Sequence, residues 1–297
     1  MPLQRRIGEL LDRLDAKTSA YARHLASGAE VAVRADEPVD TLSVIKLPVL
    51  VLAFRDAEAG RLDLQGRCAV GPQDLRNGTG VLKHFEPGLQ PTWGDLLTQM
   101  VITSDNTATD LVVGRVGLER VNSLLSEFGY TETRLQHTLA DYFRRRWELL
   151  DPANASLSNA EVFERGFPRD PGARERDFAF EGEPEEWLGR TTARETANLL
   201  AQVENAELAS PESSRRMIGI LLRQTYGSRL PRFVGDRIAI AHKTGDWAPL
   251  AGNDAGIIYA DSGAIAVSVF VNQNRGDFTE VEEAHGRIAE LLVEAWG

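Results

Sequence analysis

The chain has 297 residues, 42% hydrophobic and 26% charged, enough to bury a sizeable core as one large domain or two smaller ones. Its 33 Lys and Arg against 44 Asp and Glu leave a net charge of −11, which argues against nucleic acid or an anionic membrane as the main partner. The only cysteine is Cys68 and the five histidines form no H-x-x-x-H pair, so no disulfide, metal or cofactor is expected.

Residues 1–25 read as one amphipathic helix, with Ile7, Leu10, Leu11 and Leu14 on one face. They lack the form of a secretory signal, and the sequence as given leaves location open. Gly28 ends the helix, a short strand covers 30–34, and Asp36-Glu37-Pro38 is a turn. A helix then runs from Ser43 to about Arg55, with Pro48 near the first turn, where its missing N–H costs least. The apolar run 47–54 is too short to span a bilayer, so membrane association is not expected. Residues 62–91 read as loops and short strands.

Helices follow at about 93–103, 108–116 and 118–128. Residues 143–190 show weak periodicity and read as a long irregular connection. Helices at 193–203 and 211–224 precede strands at 237–242, 256–259 and 264–271. A hairpin turn at Asp261-Ser262-Gly263 joins the last two strands, and a helix at 280–296 ends the chain. This order predicts an α/β (α+β) fold: an antiparallel sheet from both chain ends, with flanking helices and an inserted helical subdomain. One domain, 1–297, is expected, its α/β part about 1–55 and 216–297 and its helical part about 56–215.

From Leu42 to Leu50 the chain is apolar except for the Ser43 hydroxyl and the Lys46 amine. Three residues apart on a helix, they share a face, so the amine can point at the hydroxyl. An amine in apolar surroundings loses stability as a cation and can accept a proton, and a serine beside such a base is a nucleophile. An S-x-x-K match alone turns up roughly once in a chain of this length, so a solvated lysine is the simpler reading until other residues join it.

Two further signals do join it, Ser104-Asp105-Asn106 and Lys243-Thr244-Gly245. Singly, each reads more simply as a polar turn or a strand end. In this order, on a helix, a loop and a strand, the three resemble the motifs of the class A β-lactamases and related penicillin-recognising serine hydrolases. The resemblance covers most of the chain, including Asn253-Asp254-Ala255-Gly256 leading into the next strand.

The resemblance implies that Ser43 is acylated and that Lys46 takes or relays its proton. Ser104 passes a proton to the departing nitrogen, Asn106 aligns a substrate amide, and Asp105 holds its loop. Lys243, Thr244 and Gly245 bind a small-molecule substrate, a β-lactam or a peptidoglycan-like amide or ester, through its carboxylate and along the strand edge. Asp246 lends its backbone N–H to an oxyanion hole with the Ser43 N–H. His242 reads as a packed strand residue.

A β-lactamase is the activity implied first. A D-alanyl-D-alanine carboxypeptidase or esterase of the same fold is the alternative, as is a penicillin-binding sensor that stays acylated. Such proteins are usually periplasmic or secreted. One departure bears on turnover. The class A enzymes carry a deacylating glutamate in a Glu-x-x-Leu-Asn loop. Alignment through Thr133-Arg134-Leu135 puts Leu139 near that position, with Asp141 two residues on. Asp141 is the expected substitute base, and Glu183 serves only if residues 143–190 fold back over the site.

Overall fold

Both chain ends enter one antiparallel sheet. The computed structural model describes residues 2–86 and 88–297. In chain order come helix α1 (Leu3–Leu11), strands β1 (Lys17–His24), β2 (Glu30–Val33) and β3 (Val39–Asp40), and helix α2 (Lys46–Glu58). Helices α3 (Trp93–Ile102), α4 (Asn106–Val116) and α5 (Leu118–Glu127) and strand β4 (Arg134–Leu135) follow. Next are helices α6 (Leu139–Glu148), α7 (Asn159–Arg165) and α8 (Ala173–Gly182) and strand β5 (Gly189–Thr191). Helices α9 (Ala193–Glu204) and α10 (Pro211–Leu221), strands β6 (Ile240–Trp247), β7 (Ala251–Ala260) and β8 (Gly263–Asn272), and helix α11 (Phe278–Trp296) complete the chain.

The main sheet has the order β2-β1-β8-β7-β6, and a small sheet pairs β3-β5-β4. Both faces of the main sheet are covered. Ala20, Ala22, Val267 and Val269 face the core of α1 and α11, while Tyr21, Ala266 and Phe270 face the larger helical core. Helix α2 runs through that larger core, and all but three of its 13 residues are buried. A helix apolar all round is one that packs on every side.

Three expectations change. The helix expected over 1–25 stops at Leu11, and residues 17–24 form a strand. That strand pairs on both sides, with β2 and with β8. Being covered on both faces, it lacks the polar alternation that marks a half-exposed strand. The last strands begin at Ile240 and Ala251, later and earlier than expected. The connection 143–190 is largely helical. In α6, Leu139, Tyr142, Phe143 and Arg146 share the buried face, so an arginine hides its period. Ser158 and Glu161 form a capping box at the start of α7.

Residues 143–190 fold back onto the sheet, and α8 is anchored at its last turn. Gln273, held at φ 52°, donates its backbone N–H (3.0 Å) and its side-chain amide to Glu181, and the amide also reaches Phe178 O at 2.7 Å. Glu181 is 1% exposed, and burial pushes its carboxyl up to about 7. The folded state therefore holds a proton there that the unfolded chain releases. Stability from this group is present below the ordinary glutamate range and is lost as pH rises toward 7, by up to about 3 kcal/mol. Glu181→Gln should flatten that part of the stability curve. Urea unfolding at pH 5 and pH 8 checks it, and an unchanged pH dependence would rule the assignment out.

Candidate active site

The nucleophile turn is a 3-10 segment, Leu42–Ile45, that feeds α2. Leu42 sits at φ 45°, a left-handed conformation that costs a branched side chain about 1 kcal/mol or more. Asp40 Oδ1 holds the Leu42 N–H at 2.9 Å, and Thr41 is fixed to Gly189 through its N–H and its hydroxyl, both at 2.9 Å. Strand β6 presses on this turn from the other side. A Cβ on Gly245 would stand 2.7 Å from Thr41 O and 3.3 Å from the Ser43 nitrogen, so only glycine fits. The Lys243-Thr244-Gly245 strand thus lies against the Ser43 N–H.

Lys46 is fully buried. Its amine donates to Ser104 O at 2.7 Å, to Ser104 Oγ at 3.1 Å and to Asn106 Oδ1 at 2.9 Å. The sequence pointed this amine at Ser43; the hydrogen bonds tie it to the Ser104-Asp105-Asn106 loop instead. Burial lowers its pKa well below the ordinary lysine value, and the nearby Lys243 cation adds to the shift.

The loop is itself over-determined. Ser104 lies at φ 54°. Asp105 caps α4 through Ala108 N at 2.9 Å, and its other oxygen takes the N–H groups of Val81 and Leu82 at 2.6 and 2.8 Å. Thr79 Oγ1 donates to Ser104 O at 2.7 Å, and Asn106 Nδ2 to Asn77 O at 2.9 Å. The segment 77–82 therefore holds the loop in place. Sequence reasoning missed this, because nothing in Asn77-Gly78-Thr79-Gly80 marks a catalytic support.

Lys243 is also fully buried, with its amine on Thr244 O at 2.7 Å, and burial lowers its pKa to about 7. Thr244 Oγ1 is buried with no partner among the described residues. Asp246, expected to offer only its N–H, also pairs its carboxylate with Arg229, a side chain 2% exposed that reaches Asn253 O at 3.1 Å. Arg229 belongs to no motif, and its role leaves no pattern in the chain. His242 is buried on Asp254 at 2.9 Å, a packed strand residue.

Ser43, Asn106 and Asp246 open onto a cavity of about 370 Å³. Lys46 and Ser104 stand behind this lining, bonded to Asn106 and Thr79 in it, while Lys243, Thr244 and Gly245 lie outside the lining. The far wall comes from α6 and the segment after it: Leu139, Tyr142, Phe143, Arg146, Phe167 and Asp177, with Trp247 from the sheet. Arg146 lies 4.7 Å from the ring centres of both Phe167 and Trp247, and its guanidinium meets Asp177 at 2.5 and 3.1 Å. The fold-back supposed for this segment is present, but it delivers Asp177, while Glu183 stays exposed and outside the cavity.

Asp141 is not brought to the cavity either. It is the third residue of α6, where its N–H reaches Thr138 Oγ1 at 3.1 Å and its carboxylate takes the Thr138 hydroxyl at 2.7 Å. Arg144 reaches the same carboxylate at 3.2 Å, and the side chain is 48% exposed. Thr138-x-x-Asp141 is a helix-start signature, and that signal explains the residue without chemistry. The cavity wall at this point is Leu139, as the alignment suggested, with its N–H on Asp110 at 2.7 Å.

Comparison with known proteins covers the whole chain. A beta-lactamase regulatory protein, BlaB, from Streptomyces cacaoi is 23% identical over 266 residues, spanning 84% of this chain and 83% of that one. A beta-lactamase structure from Sphaerobacter thermophilus matches with a TM-score of 0.79 at 24% identity, covering 99% of this chain and 96% of the other. PBP-A matches with a TM-score of 0.78 at 25% identity over 99% and 95% of the two chains. A leucine-to-glutamate variant of PBP-A, described as an acyl-enzyme complex with penicillin G, matches equally widely, at 0.77. The family model described as beta-lactamase enzyme family matches residues 2–296. A match of that extent leaves no element of the fold outside it, and the chain belongs to the beta-lactamase enzyme family.

Proposed function

We propose that the protein is a serine hydrolase that opens β-lactams through an acyl-enzyme on Ser43 and releases the acyl group slowly. The observation that carries this reading is the buried Lys46 amine hydrogen-bonded to both Ser104 and Asn106. An amine held well below its ordinary pKa gives up and takes a proton more readily than a solvated lysine, and here it sits next to the residue that must donate a proton.

In this reading Lys46 takes the Ser43 proton as Oγ bonds to the β-lactam carbonyl carbon. The oxyanion accepts from the Ser43 and Asp246 N–H groups, and closing the carbonyl breaks the ring C–N bond. Lys46 passes the proton to Ser104 Oγ, 3.1 Å away, and Ser104 gives its own to the ring nitrogen. The substrate carboxylate meets Thr244 Oγ1, whose hydroxyl has no protein partner, in the field of Lys243 and Arg229. Release needs a base beside the ester. The carboxylates lining the cavity are Asp177 and Asp246, and each is paired to an arginine.

Intact mass after mixing with penicillin G tests the proposal. One adduct on Ser43 should form quickly and decay slowly, and none should form on Ser43→Ala. Labelling that persists in the variant would sink the nucleophile. An adduct that never decays would favour the alternative of a penicillin-binding sensor. Among the described residues, the pairing of both cavity carboxylates with arginines supports that alternative to the same degree as slow turnover.

Lys243→Ala should penalise carboxylate-bearing β-lactams by on the order of tenfold or more in acylation, the usual loss for a hydrogen bond to a charged group. Neutral p-nitrophenyl esters should lose much less. Equal losses for the two substrate classes would reduce Lys243 to a support for the strand.

A further inference from the structure

In the acyl cavity, one edge of a buried guanidinium is uncommitted. Arg146 lies on the inner face of α6, is 6% exposed, and lines the cavity that Ser43 opens onto. Its Nε and Nη2 donate to Asp177 at 3.1 and 2.5 Å. The ring centres of Phe167 and Trp247 stand 4.7 Å from its central carbon, so two rings and one carboxylate fix its direction. Nη1 makes no hydrogen bond among the described residues. It is also not among the buried polar atoms sealed off without a partner, so it keeps accessible surface.

The rest of the polar lining is committed or out of reach. The Thr79 hydroxyl donates to Ser104 O, and Asn106 Nδ2 donates to Asn77 O. Asn106 Oδ1 accepts from Lys46. Both oxygens of Asp177 meet Arg146, while Asp246 pairs with Arg229 and has its other oxygen sealed. The Tyr142 hydroxyl is sealed too. Trp247 Nε1, like Arg146 Nη1, makes no hydrogen bond among the described residues and is not sealed. What the side chains of this wall offer a ligand is therefore donors, one of them cationic. The strong complement of a guanidinium edge is a carboxylate.

We propose that Arg146 sets the specificity of the acylation proposed for Ser43, a reading on which this inference rests. The cavity prefers β-lactams whose acyl side chain carries a carboxylate beside a compact apolar or aromatic body. The carboxylate accepts from Arg146 Nη1, and the body packs on Leu139, Phe143 and Leu188 in the same lining. Asp177 shares the guanidinium and lessens its pull on a second carboxylate, so removing that charge is itself informative.

Three penicillins that differ at one carbon of the acyl side chain test this. Penicillin G has a bare methylene there, carbenicillin a carboxylate and ampicillin an ammonium. Growth of each adduct is followed by intact mass at neutral pH. In the wild type, carbenicillin should acylate on the order of tenfold faster than penicillin G, the usual gain of a hydrogen bond to a charged group, and ampicillin slowest. Arg146→Met should abolish that lead. This variant strands the Asp177 carboxylate, so its folding is checked by urea unfolding. Arg146→Met combined with Asp177→Asn strands no charge and should show the same loss. Asp177→Asn alone acts the other way: the amide still accepts from the guanidinium, the rival charge is gone, and the lead of carbenicillin should widen. A merely structural pair would slow all three penicillins equally in every variant. No adduct from any of the three would overturn the Ser43 reading and this inference with it. Adducts without a carbenicillin lead, a lead for ampicillin, or a lead that survives in the Arg146→Met variants would overturn this inference alone.

Discussion

Lys46→Ala should slow acylation of Ser43 by at least about a hundredfold, the low end for a positioned general base. The side chain is fully buried, so loss of the base must be separated from loss of the fold. Two features favour a folded variant. Ser104 O keeps the Thr79 hydroxyl at 2.7 Å, and Asp105 keeps its three backbone donors. Lys46→Arg supplies the contrast. A guanidinium offers donors to Ser104 and Asn106 but stays charged, so it cannot accept the Ser43 proton. Both variants should therefore lose acylation. The rate of adduct growth with penicillin G checks this by mass, alongside urea unfolding. Acylation at the wild-type rate in either folded variant would remove Lys46 from the mechanism.

How far these residues could be read from the sequence depends on how local their signals are. Ser43-x-x-Lys46, Ser104-Asp105-Asn106 and Lys243-Thr244-Gly245 are short words, and the structure gathers them around one turn. The direction of the Lys46 amine was not legible. Helical spacing allows it to meet Ser43, whereas its bonds go to a loop 58 and 60 residues away. Supports such as Thr79 and Arg229 act through tertiary contacts that leave no pattern in the chain. The sheet from both chain ends was legible in its order of elements. Strand β1 was not, since burial on both faces erases alternation, and α6 was not, since Arg146 occupies its inner face between two aromatic rings. Asp141 shows the opposite failure. A carboxylate near the family's glutamate position invited a catalytic role, while Thr138 three residues earlier gave the capping explanation.

Leu139→Glu should convert slow release into turnover. Leu139 is 3% exposed and lines the cavity that Ser43 opens onto. It is the first residue of α6, where the helix N-terminus favours a negative charge. Burial opposes that charge; the Asp110 carboxylate, which accepts the N–H groups of residues 139 and 140 at 2.7 and 2.8 Å, is itself paired with Arg76 at 2.6 Å. Burial raises the new group's pKa above the ordinary glutamate range, which suits a base acting on water. A well-placed general base contributes about 10²–10⁴-fold, and an unrefined one should still give about tenfold or more in the decay of the penicillin adduct. The burst of acylation should be unchanged, because Ser43, Lys46 and Ser104 are untouched. Asp141→Asn should change neither phase, since that side chain faces solvent in a helix cap. Nitrocefin time courses read both phases in one trace. Release that stays slow in a folded Leu139→Glu variant would show that position 139 does not place a carboxylate against the ester. An acyl-enzyme trapped by Asp141→Asn would show that the cap residue reaches the site after all.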